Sequence, residues 1–107
     1  MLAKEIYNKV RLSSEVIDLI VKLAKEIFGE DVRVWIFGSR ADLSKKGGDI
    51  DIYLEIANYK DILNKKLNFL VNLEKEIGEQ KIDLIVRPLD SEDFISLEAK
   101  TTGIRIY

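Results

Sequence analysis

The sequence has 107 residues, 47% of them hydrophobic and 34% charged, with six Gly and one Pro, which suits one small globular domain over residues 1–107. It holds no Cys and no His; this excludes disulfides, thiolate nucleophiles, Cys/His zinc sites and Ser-His-Asp chemistry, and leaves carboxylates, hydroxyls, Lys/Arg or a metal held by oxygen. Seventeen basic and 19 acidic residues give a net charge of −2, so no strong nucleic-acid binding is expected.

The opening Met1-Leu2-Ala3-Lys4-Glu5 has no basic stretch followed by an apolar one, so no signal peptide is expected. No apolar run approaches the roughly 18 residues of a spanning helix, and a cytoplasmic protein without membrane contact is the expectation. Ser13 reads as an N-cap, with Leu12 and Ile17 placed to form a hydrophobic staple. Val16, Ile17, Leu19, Ile20, Leu23, Ala24, Ile27 and Phe28 then recur at helical spacing, and Gly29 supplies the stop. Residues 32–37 are β-branched and aromatic and predict a strand. Residues 38–48 are turn-like. From Asp49 the alternation is strict: Ile50, Ile52, Leu54 and Ile56 fall on one face, and Asp49, Asp51, Tyr53 and Glu55 on the other.

A second helix is predicted over about residues 59–77, capped by Asn58 and stopped by Gly78. Residues 81–87 predict another strand, with Ile82, Leu84 and Val86 on one side and Asp83 and Ile85 on the other; Pro88 ends it. A short helix follows Asp90 or Ser91 and ends near Lys100, and residues 103–107 read as a last extended segment. Elements that alternate this way predict an α/β or α+β domain. The two strands within 32–56 have no long helix between them, so antiparallel pairing is expected.

Three features point to chemistry. Asp49 and Asp51 stand at i and i+2 of a strand and share a side, about 6–7 Å apart at Cα. Two like charges at that range repel, and a divalent cation reverses the sign of the interaction; Mg²⁺ favours one or two carboxylates together with substrate phosphates. Gly38-Ser39-Arg40 at the end of a strand would present backbone N–H groups, a hydroxyl and a guanidinium to a phosphate. Asp83 stands in an apolar strand, where Asp is disfavoured. Taken singly each has an ordinary reading: a solvated strand face, a plain turn, an edge residue. Together they are specific, since Gly-Ser followed at a suitable distance by Asp-x-Asp arises by chance in roughly one chain of this length per hundred.

Gly38-Ser39-Arg40-Ala41, Gly48-Asp49-Ile50-Asp51-Ile52 and Lys81-Ile82-Asp83-Leu84-Ile85 resemble the motifs of the minimal nucleotidyltransferases of the DNA polymerase β superfamily, from about residue 15 onward. The resemblance implies an α+β fold, a small mixed β-sheet flanked by helices. It implies that Asp49, Asp51 and Asp83 are catalytic and hold two Mg²⁺ ions, that Gly38 and Ser39 grip the β- and γ-phosphates of ATP beside Arg40, and that Asp83 helps deprotonate the acceptor hydroxyl. Two departures stand out: nine residues separate Ser39 from Asp49, one fewer than the common spacing, and Asp42-Leu43 replaces the usual basic-Gly pair. Lys45 or Lys46 either substitutes for that basic contact or is simply solvated. Small members of the superfamily pair with helical HEPN proteins in toxin–antitoxin modules, where the nucleotidyltransferase transfers AMP to a tyrosine of the toxin. That role is the leading expectation for a chain this short. The alternatives are a binding module that neutralises a HEPN partner by complex formation, and transfer to a small molecule of the aminoglycoside type.

Overall fold

The computed structural model describes residues 4–107. In chain order these form α1 (Lys4–Lys9), α2 (Ser14–Phe28), β1 (Arg33–Phe37), a 3-10 turn (Gly38–Ala41), β2 (Ile50–Ile56), α3 (Ile62–Ile77), β3 (Ile82–Pro88), α4 (Phe94–Thr102) and β4 (Ile104–Arg105). Ser13 caps α2 as its sequence predicts, accepting a hydrogen bond from the Val16 N–H at 3.2 Å. α1 has no counterpart among the predicted elements. Helix α3 starts three residues later than expected. Asn58 does not cap it but accepts from the Lys60 N–H at 2.9 Å, closing a turn of its own, while the Tyr59 hydroxyl donates to the Val86 carbonyl of β3 at 2.6 Å. Helix α4 is capped by Asp93, which accepts from the Ser96 N–H at 2.9 Å, rather than by Asp90 or Ser91.

The four strands form one mixed sheet in the order β3-β2-β1-β4. β1 pairs antiparallel with both β2 and β4. β2 and β3 run parallel, and α3 supplies the crossover that parallel neighbours require. The fold is therefore α+β, with the helix-flanked mixed sheet anticipated above.

The sheet has two unlike faces. Val34, Ile36, Ile50, Ile52, Leu54 and Ile56 meet Ile17, Ile20, Ala24 and Phe28 of α2 and Phe69 and Leu73 of α3 in the main core. On the opposite face, Trp35 and Tyr53 are directly opposed across β1 and β2, with ring centroids 5.5 Å apart, and Ala99 of α4 packs on them. This second face is closed at one end. Glu55 is completely buried there, receiving Lys100 Nζ at 2.7 Å, the Tyr53 hydroxyl at 2.7 Å and the Asp90 N–H at 3.1 Å. At the other end, the face is open.

Burial by itself would raise the Glu55 carboxyl, but the hydrogen bonds from Lys100, Tyr53 and Asp90 outweigh it and hold the group below its ordinary range. A folded-state value below the unfolded one means that Glu55 stabilises the fold fully above the ordinary carboxylate range and loses that contribution as pH falls from there through its lower, folded-state value. Lys100→Met removes the main partner and leaves a buried carboxylate under-compensated. We expect a loss of about 3–5 kcal/mol in urea unfolding at pH 7, shrinking as pH falls, because in the variant the carboxylate without its lysine can take up a proton instead.

Candidate active site

Strand register decides which carboxylates meet. Parallel pairing sets Asp51 of β2 directly beside Asp83 of β3, and antiparallel pairing sets Asp51 across from Phe37, the last residue of β1. All three side chains therefore lie on the open end of the second face. Asp49 precedes β2 by one residue and falls on that side too.

After Phe37 the chain turns sharply. Gly38 has φ +68, and a Cβ placed on it would collide with the Asp51 carboxylate, so the backbone of the turn presses against that acid. Gly48 repeats the device from the other end of the loop: with φ +92, a Cβ there would collide with the Ser39 hydroxyl. The two contacts gather Gly38, Ser39, Gly48 and Asp51 together, with Asp83 beside Asp51 on the neighbouring strand.

The site's electrostatics are unresolved from within. Burial pushes the Asp51 carboxyl up, and a hydrogen bond and the charge of Asp83 together with the charge of Asp49 push it further, against a weaker opposing pull from Lys81. Asp49 itself faces Lys81, with Oδ2 3.6 Å from Nζ. Asp83 is exposed. Thus Asp51 and Asp83 are side by side in register, while Asp49 is paired with a lysine. Among the described residues no three acidic side chains are gathered into a ready ligand set for a metal ion. The reason is repulsion: like charges at about 4 Å cost about 4 kcal/mol at an effective dielectric near 20, so without a cation between them carboxylates share a proton or turn to another partner.

The loop over residues 38–48 is held by two arginines. Arg11, between α1 and α2, donates to the carbonyls of Ser39 at 2.9 Å, Gly47 at 2.7 Å and Asp42 at 3.0 Å. The guanidinium of Arg40 turns back, donating to the carbonyls of Arg11 at 2.9 Å and Gly48 at 3.3 Å. Arg40, which the motif suggests for phosphate, thus braces the loop here. Lys45 and Lys46 are exposed on the loop. Sequence reading passes over Arg11 altogether, because it lies 28 to 36 residues from the carbonyls it binds and nothing in its neighbourhood marks it. Asp42, expected only as a departure from the motif, accepts from both the N–H and the hydroxyl of Ser44, at 2.9 and 2.6 Å, and fixes the shortened tip.

Two outcomes follow from this geometry. Because Asp51 is harder to ionise folded than unfolded, its charge at neutral pH works against the fold, and that cost appears as pH rises through the carboxylate range. Asp51→Asn should raise Tm by about 2–5 °C at pH 7 and leave it unchanged near pH 3, as read by calorimetry. Gly38→Ala meets both the left-handed backbone and the Asp51 carboxylate; it should lower Tm at pH 7 by several degrees, a loss that Asp51→Ala in the same chain partly restores.

The sequence matches the family model for the nucleotidyltransferase domain over residues 3–104. No curated protein matches it closely enough to be informative. The matched span takes in each strand and turn that brings Gly38, Ser39, Asp51 and Asp83 together, so the geometry and the family agree: the chain belongs to the nucleotidyltransferase domain family and transfers nucleotidyl groups from a nucleoside triphosphate.

Proposed function

We propose that the domain, acting as a single cytoplasmic unit of residues 1–107, uses Mg²⁺ to transfer AMP from ATP to a tyrosine hydroxyl of a helical HEPN toxin and so acts as its antitoxin. The observation that carries the chemical part is the Asp51–Asp83 pair, set side by side by register with the Gly38 turn pressed on it. The HEPN partner, the tyrosine and ATP rest on the likeness of the Gly-Ser, Asp-x-Asp and third-Asp motifs to small superfamily members with such partners. Among the described residues no helix is long and apolar enough to cross a membrane.

The donor set suits Mg²⁺. Its atoms are hard carboxylate oxygens, Asp51 and Asp83 are register partners on adjacent strands, and a cation would relieve their repulsion. When bound, a pair of Mg²⁺ ions supplies charge neutralisation and Lewis acidity at the phosphates. Asp51 and Asp83 would hold them, and Asp49 would join them in place of its pairing with Lys81. The Gly38 N–H and the Ser39 hydroxyl donate to the β- and γ-phosphates, with Arg40 behind them keeping the loop in place. Asp83, the most exposed of the three acids, takes the proton of the attacking hydroxyl. The acceptor oxygen bonds to the α-phosphorus, the bond from that phosphorus to the bridging oxygen breaks, and pyrophosphate leaves with the electron pair.

A second reading is favoured by the ion pair of Lys81 with Asp49, which occupies an acid the reaction needs. In it the domain masks the HEPN partner by binding alone. Incubation with Mg²⁺, ATP labelled at the α-phosphate and the HEPN partner separates the two. Transfer predicts labelled partner, lost with EDTA and reduced by about 100-fold or more in Asp51→Asn and Asp83→Asn, together with loss of protection from the toxin. Masking predicts an unlabelled partner that both variants neutralise as well as wild type.

A further inference from the structure

Helix α3 carries an apolar stripe that nothing in the fold covers. Leu63, Leu67 and Val71 are 79%, 61% and 54% exposed, although the opposite side of the same helix buries Phe69 and Leu73 in the main core. The three stand at i, i+4 and i+8, a straight ridge about 12 Å long, and such ridges seat in the grooves of another helix. Beside its C-terminal end lies a shallow hollow of about 430 Å³ lined by Val71, Glu74, Lys75, Gly78 and Glu79.

Charge divides along α3 and the residues that flank it. Residues 60–66 carry Lys60, Lys65 and Lys66 against Asp61, whereas residues 74–79 carry Glu74, Glu76 and Glu79 against Lys75. A parallel neighbour with this pattern would meet like charge at both ends. An antiparallel copy meets opposite charge at both ends, its helix dipole also opposed. A two-fold axis at Leu67 sets Leu63 of one copy against Val71 of the other and aims the most exposed leucine of the stripe at the hollow.

We propose that this face of α3 is a self-complementary surface on which a second copy of the chain docks, antiparallel and centred on Leu67. The contact is two-fold and isologous. α3 covers the sheet face opposite Asp51 and Asp83, so pairing leaves both sites open. A surface of one helix from each copy is at the small end of specific interfaces, and a dissociation constant in the micromolar range is expected.

Sedimentation of the whole chain from about 1 to 500 µM tests this at concentrations spanning that range. The expected result is a monomer–dimer equilibrium, weakened at least about tenfold by Leu67→Glu, with circular dichroism unchanged because the side chain is exposed. Lys60→Glu and Glu74→Lys, at positions the two-fold axis sets opposite each other, each weaken self-association by about tenfold. Mixed together they pair with one another, since each then offers the charge the other lacks. A monomer at every concentration overturns the proposal and leaves the stripe to a different protein. A dimer indifferent to Leu67→Glu, or charge variants that do not prefer each other, overturns it as well.

Discussion

Parallel pairing of β2 with β3 forces Asp51 and Asp83 into the same register position on one side of the sheet, and most of what is unusual about this domain comes from that juxtaposition. Neither strand can slip by one residue to relieve it. A slip would carry Ile50, Ile52 and Leu54, all fully or almost fully buried under α2 and α3, onto the wrong face. The hydrophobic effect on one side of the sheet thus holds an electrostatic conflict in place on the other. Burying the apolar face is a matter of tens of side-chain methylenes at roughly 0.8 kcal/mol each, against a few kcal/mol of carboxylate repulsion, so the core prevails.

The same face of β2 shows two answers to a carboxylate in a strand. Glu55 lies at the end roofed by α4, where Lys100, Tyr53 and the Asp90 N–H supply a cation and hydrogen-bond donors, and its acidity increases. Asp51 lies two turns of alternation away, beyond the reach of α4's lysine. Its nearest charged neighbours are mostly other acids, and its acidity decreases. A carboxylate in this strand is therefore a structural anchor at one end and a group pressed by like charge at the other. That opposition is the physical difference between a compensated ion pair and a carboxylate with a perturbed acidity, the kind of group that gathers at functional sites.

The strands, the α2 helix with its Ser13 cap and the antiparallel β1–β2 pair were legible because each is specified by local periodicity or a local cap. The Gly-Ser turn and the Asp-x-Asp pair could be read for the same reason: their spacing is short and falls at a strand's end and a strand's start. What could not be read is long-range. The sequence has no means of saying that α4 covers Tyr53 and Glu55, so alternation left them on a face that looked solvated. Arg11 braces the loop from another part of the chain, and Asn58 spends its side chain on a turn instead of a helix cap, a choice that depends on Tyr59 reaching β3. The turn of Asp49 to Lys81 is likewise a contest between neighbouring charges that no spacing rule encodes.

The arginine bracing bears on how such a site tolerates its own repulsion. The loop over residues 38–48 has glycines at both ends and little hydrophobic anchoring, and loops of this kind ordinarily drift. Here its carbonyls of Ser39, Asp42, Gly47 and Gly48 all receive guanidinium donors from Arg11 or Arg40. Occupying the carbonyls fixes the loop's course and adds two positive charges to it without placing either guanidinium on Asp51 or Asp83. A lysine could not do this, since it lacks the planar fork that spans several carbonyls at once. The arrangement orders the loop beside the acids while leaving Asp51 and Asp83 without an arginine partner. A loop that used its arginines to neutralise Asp51 and Asp83 directly would be more stable and would have nothing left to hold a metal-bound triphosphate.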